Sequence, residues 1–185
     1  GLRFPTLFLL AAGLFVLGRD PAYVFEVVAI GLYQYWLPEA ARQRGHEAFS
    51  RFLGIQVRLA AMVGAGMIVG SIVARPLLPW LAPNFAAVGV LFVINTVDFA
   101  LFLLARPIES VFHGMHRPGL EFALRVARIP PLVVLAWWWI GPHGSTGMAW
   151  AYVGSGAATL GVAVWLVRRL LRDGAGPATP TIRRP

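Results

Sequence analysis

The segment Phe85–Ala105, FAAVGVLFVINTVDFALFLLA, narrows the possible folds more than any other part of the chain. It is apolar almost throughout, contains no proline and carries one ionisable residue, Asp98. About 20 apolar residues, each rising 1.5 Å, cross a hydrocarbon core of roughly 30 Å, so this stretch is long enough to span a bilayer. Asp98 lies just past its midpoint, with Asn95 one turn earlier on the same helical face. An acid at that depth is penalised by about 2.5–3.5 kcal/mol on insertion scales. It therefore belongs against protein or a wet cavity, not against lipid.

Hydrophobic residues make up 58% of the chain and charged residues only 13%. A soluble domain of 185 residues has too little core to hide that much apolar surface, which makes lipid the expected solvent. The net charge is +8, and every basic residue is arginine. Arginine without lysine, beside abundant Ala and Gly, reads as the codon habit of a high-GC bacterium. In a soluble domain such a balance points to nucleic acid; here membrane topology accounts for it, and no nucleic-acid partner is expected. The absence of cysteine excludes disulfides, thiolate metal sites and Cys nucleophiles.

The pattern predicts an all-α polytopic membrane protein whose six transmembrane helices form one bundle. The expected spans are Leu2–Leu17, Ala22–Leu37, Gly54–Val73, Phe85–Ala105, Phe122–Ile140 and Gly147–Leu171, followed by a disordered cytoplasmic tail over 173–185. Gly18-Arg19-Asp20-Pro21 is a poor cleavage site, so the first run reads as a span and not a signal peptide. Pro38 is expected to end the second span, with Tyr33, Tyr35 and Trp36 at a headgroup interface. Arg106–Glu121 reads as a polar connection. Pro130-Pro131 should kink the fifth span or start its regular helix, Trp137-Trp138-Trp139 should anchor its end, and Gly141–Thr146 should turn tightly. Gly66 and Gly70, with Gly64 beside them, allow close helix approach, and Gly147, Ala151, Gly154, Ala158 and Gly161 draw a small-residue stripe. With six spans, Arg19 and Arg75 alone fall on one side while every other arginine falls on the side of both termini. The positive-inside rule makes that side cytoplasmic.

Asp98, Asn95 and Glu26, with Gln34 further along the second span, are the polar candidates for a cavity, a coupling-ion site or a pair with an arginine such as Arg58. The alternative is a structural interhelical hydrogen bond. Arg125 and Arg128 share a face at i, i+3 and, with Arg58 and Arg106, could form a cationic mouth for phosphate oxygens, which guanidinium forks suit. The alternative for any one of them is a topogenic charge snorkelling to headgroups. Glu109, His113 and His116 align at i, i+4, i+7, but a metal site needs a third strong ligand and supporting contacts, so a solvated interfacial helix is expected and no metal. There is no HExxH, GxSxG or phosphate-binding glycine loop, so neither enzyme activity nor a cofactor is expected.

Four stretches carry a family resemblance: Trp36-Leu-Pro38-Glu-Ala-Ala-Arg42, Gly54-Ile-Gln-Val-Arg58, Arg75-Pro76-Leu-Leu-Pro79-Trp80-Leu-Ala-Pro83 and Gly141-Pro142-His143-Gly144-Ser-Thr-Gly147-Met-Ala-Trp150-Ala151. In this order they resemble the C-terminal half of O-antigen-type polysaccharide flippases of the multidrug/oligosaccharidyl-lipid/polysaccharide exporter superfamily. The resemblance implies one six-helix lobe of a two-lobe transporter in the bacterial cytoplasmic membrane. It implies a lipid-linked oligosaccharide as substrate, alternating access, and a missing N-terminal lobe or a second copy as partner. A drug/cation antiporter of the same superfamily is the alternative, and a membrane-embedded transferase is a third.

Overall fold

A computed structural model describes residues 16, 19–42, 46–81, 88–114 and 117–172. The expected span 2–17 (Val16 apart) and the tail 173–185 lie outside the described residues. Among those described there is helix and no strand. A single 3₁₀ turn over Asp20–Ala22 leads into α1, Tyr23–Arg42; α2 is His46–Ala74, followed by a 3₁₀ turn and one helical turn over Leu78–Leu81. The remaining helices are α3, Val88–Gly114; α4, Pro118–Ala127; and α5, Ile129–Arg172. Three stretches are long and apolar enough to cross a membrane: Ser50–Trp80, Val88–His113 and Gly119–Leu170. Helix α1 falls short of that measure, because Glu26, Gln34, Glu39 and its tyrosines dilute the apolar run.

Proline ends fewer helices than the sequence leads one to expect. Helix α1 continues through Pro38 to Arg42, and α3 through Pro107 to Gly114. Proline removes one backbone hydrogen bond, a loss that apolar helices absorb when neighbours and hydroxyl side chains re-satisfy the freed groups. Pro107 is itself fully buried, so packing holds it in the helix; the carbonyl it frees is that of Leu103, whereas the Ser110 hydroxyl donates to the Pro107 carbonyl at 2.7 Å. The expected polar connection after Ala105 is therefore mostly helix, and Arg106, Glu109 and Ser110 are buried within it. Pro130-Pro131 does stand at the start of a regular helix: α4 stops at Ala127, Arg128 is a turn, and α5 begins at Ile129.

Helix α5 is not one rod. Gly144 has φ +56° and ψ −130°, a conformation only glycine adopts without strain, and the helix reverses there. Gly147 lies against the Trp139 carbonyl, Gly154 against the Leu135 side chain, and Arg128 reaches Ser155. Contacts between residues that far apart in sequence require two antiparallel arms, 129–143 and 145–172.

Helix α3 is the axis of the bundle. One of its faces, with Phe92, Phe99 and Leu103, meets Ala22 of the 3₁₀ turn, Ala29 and Trp36 of α1, and Phe52, Ala60 and Met67 of α2. The steps of four, seven and eight residues in these sets keep each seam on one face. A second face (Ile108, Val111, Phe112) meets Leu124 of α4 and Ala163 and Val167 of α5, and a third (Leu91, Ile94) meets Ala149. Chain direction follows from these pairs: the arm 145–172 runs parallel to α3, while α2 and α4 run antiparallel to it. Trp36 belongs to this core and is fully buried, not at an interface, because the seam of α1 places it over α3. Trp80, Trp137 and Trp138 are exposed, as are Val24, Val69, Val73 and Val133. Such an exterior is consistent with a membrane protein.

Candidate functional site

Between α3, α4 and the arm 145–172 the chain gathers charged groups that an apolar bundle tolerates only in pairs. Asp98, 4% exposed, accepts a hydrogen bond from Arg128 Nη2 at 2.5 Å on its Oδ1. Arg128 sits at the joint between α4 and α5, and its Nε donates to Ser155 Oγ at 3.4 Å. Ser155 in turn donates to the Tyr152 carbonyl at 2.8 Å. A single guanidinium thus ties the joint to α3 on one side and to the second arm of α5 on the other. Gly156 makes room for it: a Cβ there would stand 3.0 Å from Asp98 Oδ1. Arg19 enters from the other side, its guanidinium 5.5 Å from the Phe99 ring centre and 5.1 Å from that of Tyr152. Glu26 and Arg19 both lie close enough to act electrostatically on Asp98.

Two turns further along α3, Arg106 donates from Nη1 to Glu109 Oε2 at 2.5 Å, with both side chains almost wholly enclosed. Its guanidinium lies 3.9 Å from the Phe102 ring centre and 4.9 Å from that of Tyr33 on α1. Rings shield the charge where no second carboxylate can. Its Nε is buried without a hydrogen-bond partner among the described residues. Near the end of α3, Glu121 accepts from Arg125 at 2.6 Å and lies 3.0 Å from His113 Nδ1. Between these pairs is a cavity of about 160 Å³, walled by Phe102, Arg106, Glu109, Arg125, Arg128 and Thr159, among others.

The structure sorts the expected residues into several groups. Asp98, Arg106, Arg125 and Arg128 converge on or beside the cavity. Asn95 is buried one turn before Asp98, and among the described residues its Nδ2 and the buried Oε2 of Glu26 have no hydrogen-bond partner. Of the arginines that could pair with Asp98, among them Arg58, it is Arg128 that holds the carboxylate. Arg58 is exposed beside Arg51 in an open groove of about 480 Å³ at the start of α2, on the far side of one helical turn from Gly54. Gln34 is exposed on α1 and joins none of these contacts. Of the small residues, Gly147, Ala151 and Gly154 lie inside the α5 hairpin or against α3, whereas Ala158 is exposed and Gly161 has nothing within 4 Å of a Cβ position. Gly66 and Gly70 likewise face open space, and the close approach of α2 to α3 is made by Gly64, where an added Cβ would stand 3.3 Å from the Ala100 Cβ. Glu109 and His113 are engaged by Arg106 and Glu121, His116 lies outside the described residues, and no group of three metal-ligating side chains occurs among those described.

Sequence reasoning missed Arg19, Tyr152, Ser155 and Gly156 as members of the site, and it expected Glu109 on a solvated interfacial helix, where the structure buries it against Arg106. The Arg106–Glu109 spacing of i, i+3 was a usable signal for an ion pair on a helix. Compared with protein-family models, curated proteins and solved structures, the chain shows no match.

Proposed function

We propose that this chain is one lobe of a membrane transporter that moves a lipid-linked oligosaccharide across the bacterial cytoplasmic membrane by alternating access. Its partner is a second six-helix lobe, as an N-terminal half or as another copy, and both termini are cytoplasmic. The observation that carries this reading is the cavity bordered by Arg106, Arg125 and Arg128 within an otherwise apolar bundle. A charged, hydroxyl-rich headgroup loses its hydration in hydrocarbon, and a polar cavity replaces it while the lipid tail stays in the bilayer. Guanidinium forks match the geometry of phosphate oxygens. The test is a flipping assay in proteoliposomes with Asp98→Ala and Arg128→Ala in the full-length protein. Both are expected to lower turnover at least tenfold; wild-type rates in both would remove these residues from the mechanism.

A further inference from the structure

The three guanidiniums at the cavity are not free to receive an anion. Arg106 is held by Glu109 at 2.5 Å, Arg125 by Glu121 at 2.6 Å and Arg128 by Asp98 at 2.5 Å. Each guanidinium charge at the cavity is thus matched by a carboxylate, of which Glu109 alone lines the cavity itself. An entering phosphate group must take a guanidinium from its carboxylate, and the carboxylate left behind must be neutralised or stay buried as an unpaired charge. The second outcome costs several kcal/mol, and a proton removes it.

The pairs differ in where they leave that carboxylate. Glu121 accepts from Arg125, and on losing it keeps His113 Nδ1 at 3.0 Å. Asp98 loses Arg128 but still faces Arg19 from the start of α1, opposite Glu26. Glu109 has the most enclosed arrangement: it and Arg106 both line the cavity, and their side chains are 7% and 10% exposed. The groups that face Glu109 are Arg106 on its own helix, Arg125 and Glu121 on α4, and the Tyr33 phenol on α1. Arg106 also keeps a buried Nε without a hydrogen-bond partner among the described residues.

We propose that the cavity binds a phosphate-bearing anion together with one proton, the anion on Arg106 and the proton on Glu109. This inference rests on the transport reading above and adds its coupling. The carboxylate gains H⁺ as its salt bridge to Arg106 opens, and the anion takes the vacated guanidinium, so charge inside the bundle changes by one unit less than the anion carries.

The test is calorimetric titration of the full chain in lipid nanodiscs with inorganic pyrophosphate and, in parallel, farnesyl diphosphate, in buffers of different ionisation heat. Wild type is expected to take up one more proton per anion than Glu109→Gln, and its affinity to weaken by about tenfold per pH unit as pH rises, the slope of a single linked proton. Glu109→Gln should lose that excess and bind without protein-borne pH dependence, while Asp98→Asn should keep it. Tighter binding of the prenylated probe would assign the anion to a lipid headgroup; equal binding would assign it to a free phosphate, and proton uptake supports the proposal in either case. Equal proton uptake in wild type and Glu109→Gln would overturn the proposal and leave the transport reading intact. Loss of the excess in Asp98→Asn would overturn the assignment to Glu109. If neither probe binds between pH 5 and 8, the proposal and the transport reading fall together. Should Glu109→Gln fail to fold, the wild-type proton count and pH slope still decide, since their absence overturns the proposal.

Discussion

Helices α2 and α3 are both long, apolar and glycine-containing, yet they occupy opposite environments. In the apolar window of α3, 61% of residues are buried inside the chain; in that of α2, 22% are. The difference lies in which faces find partners. Helix α3 has a seam on each of three sides, so even its polar residues Asn95, Thr96, Asp98, Arg106 and Glu109 are enclosed. Helix α2 has one seam, and Met62, Val69 and Val73 face outwards beside Gly66 and Gly70. An apolar sequence can be solvated by lipid or by protein, and composition does not distinguish them. What distinguishes α3 is its polar content, which lipid would reject.

That contrast can be broken by mutation. The largest effect is expected at Asp98→Ala, which strands the Arg128 charge and should lower stability by about 3–5 kcal/mol; thermal unfolding in detergent measures it, and Asp98→Asn with Arg128→Gln should recover most of the loss. Next, Leu103→Ala on α3, fully buried, should cost about 2 kcal/mol or more. Met62→Ala on α2, 66% exposed, should stay within about 0.5 kcal/mol on the same assay. Between those two in size, Gly64→Ala presses on Ala100 and should cost about 1–3 kcal/mol, whereas Gly70→Ala meets open space and should gain up to about 1 kcal/mol from helix propensity. A Gly70→Ala loss as large as that at Gly64, seen in bilayers but not in detergent, would show that another protein surface covers α2. Smallest is Arg58→Gln, expected to shift unfolding by under about 0.5 kcal/mol because the side chain is exposed and has no ion pair among the described residues.

The apolar stretches, the helix start at Pro130-Pro131 and the reversal between the last two arms were legible from the chain, because each depends on local chemistry: run length, a locked φ and a glycine. The extents of α1 and α3 were not. Pro38 and Pro107 read as stops, but tertiary packing carries a helix through a proline when the freed groups are satisfied. The site was legible only in part. Asp98 stands out in any hydrophobic run, but its partner is 30 residues away, and no spacing rule links α3 to the joint at Arg128. Arg58 looked equally suitable, and only the fold decides between them. Gly156 escaped notice because it lies off the stripe traced by Gly147, Ala151 and Gly154, on the side of the helix that faces Asp98.

The ring sandwich around Arg106 has a consequence for ionic strength. Tyr33 and Phe102 clasp the guanidinium from two helices, so α1 is fastened to α3 through a contact that bulk salt screens far less than it screens an exposed ion pair. Added salt should fade the exposed Arg42–Glu39 pair at the end of α1 and leave this clasp unchanged. The bundle is thereby insensitive to brine at its centre and responsive to it only along its margins.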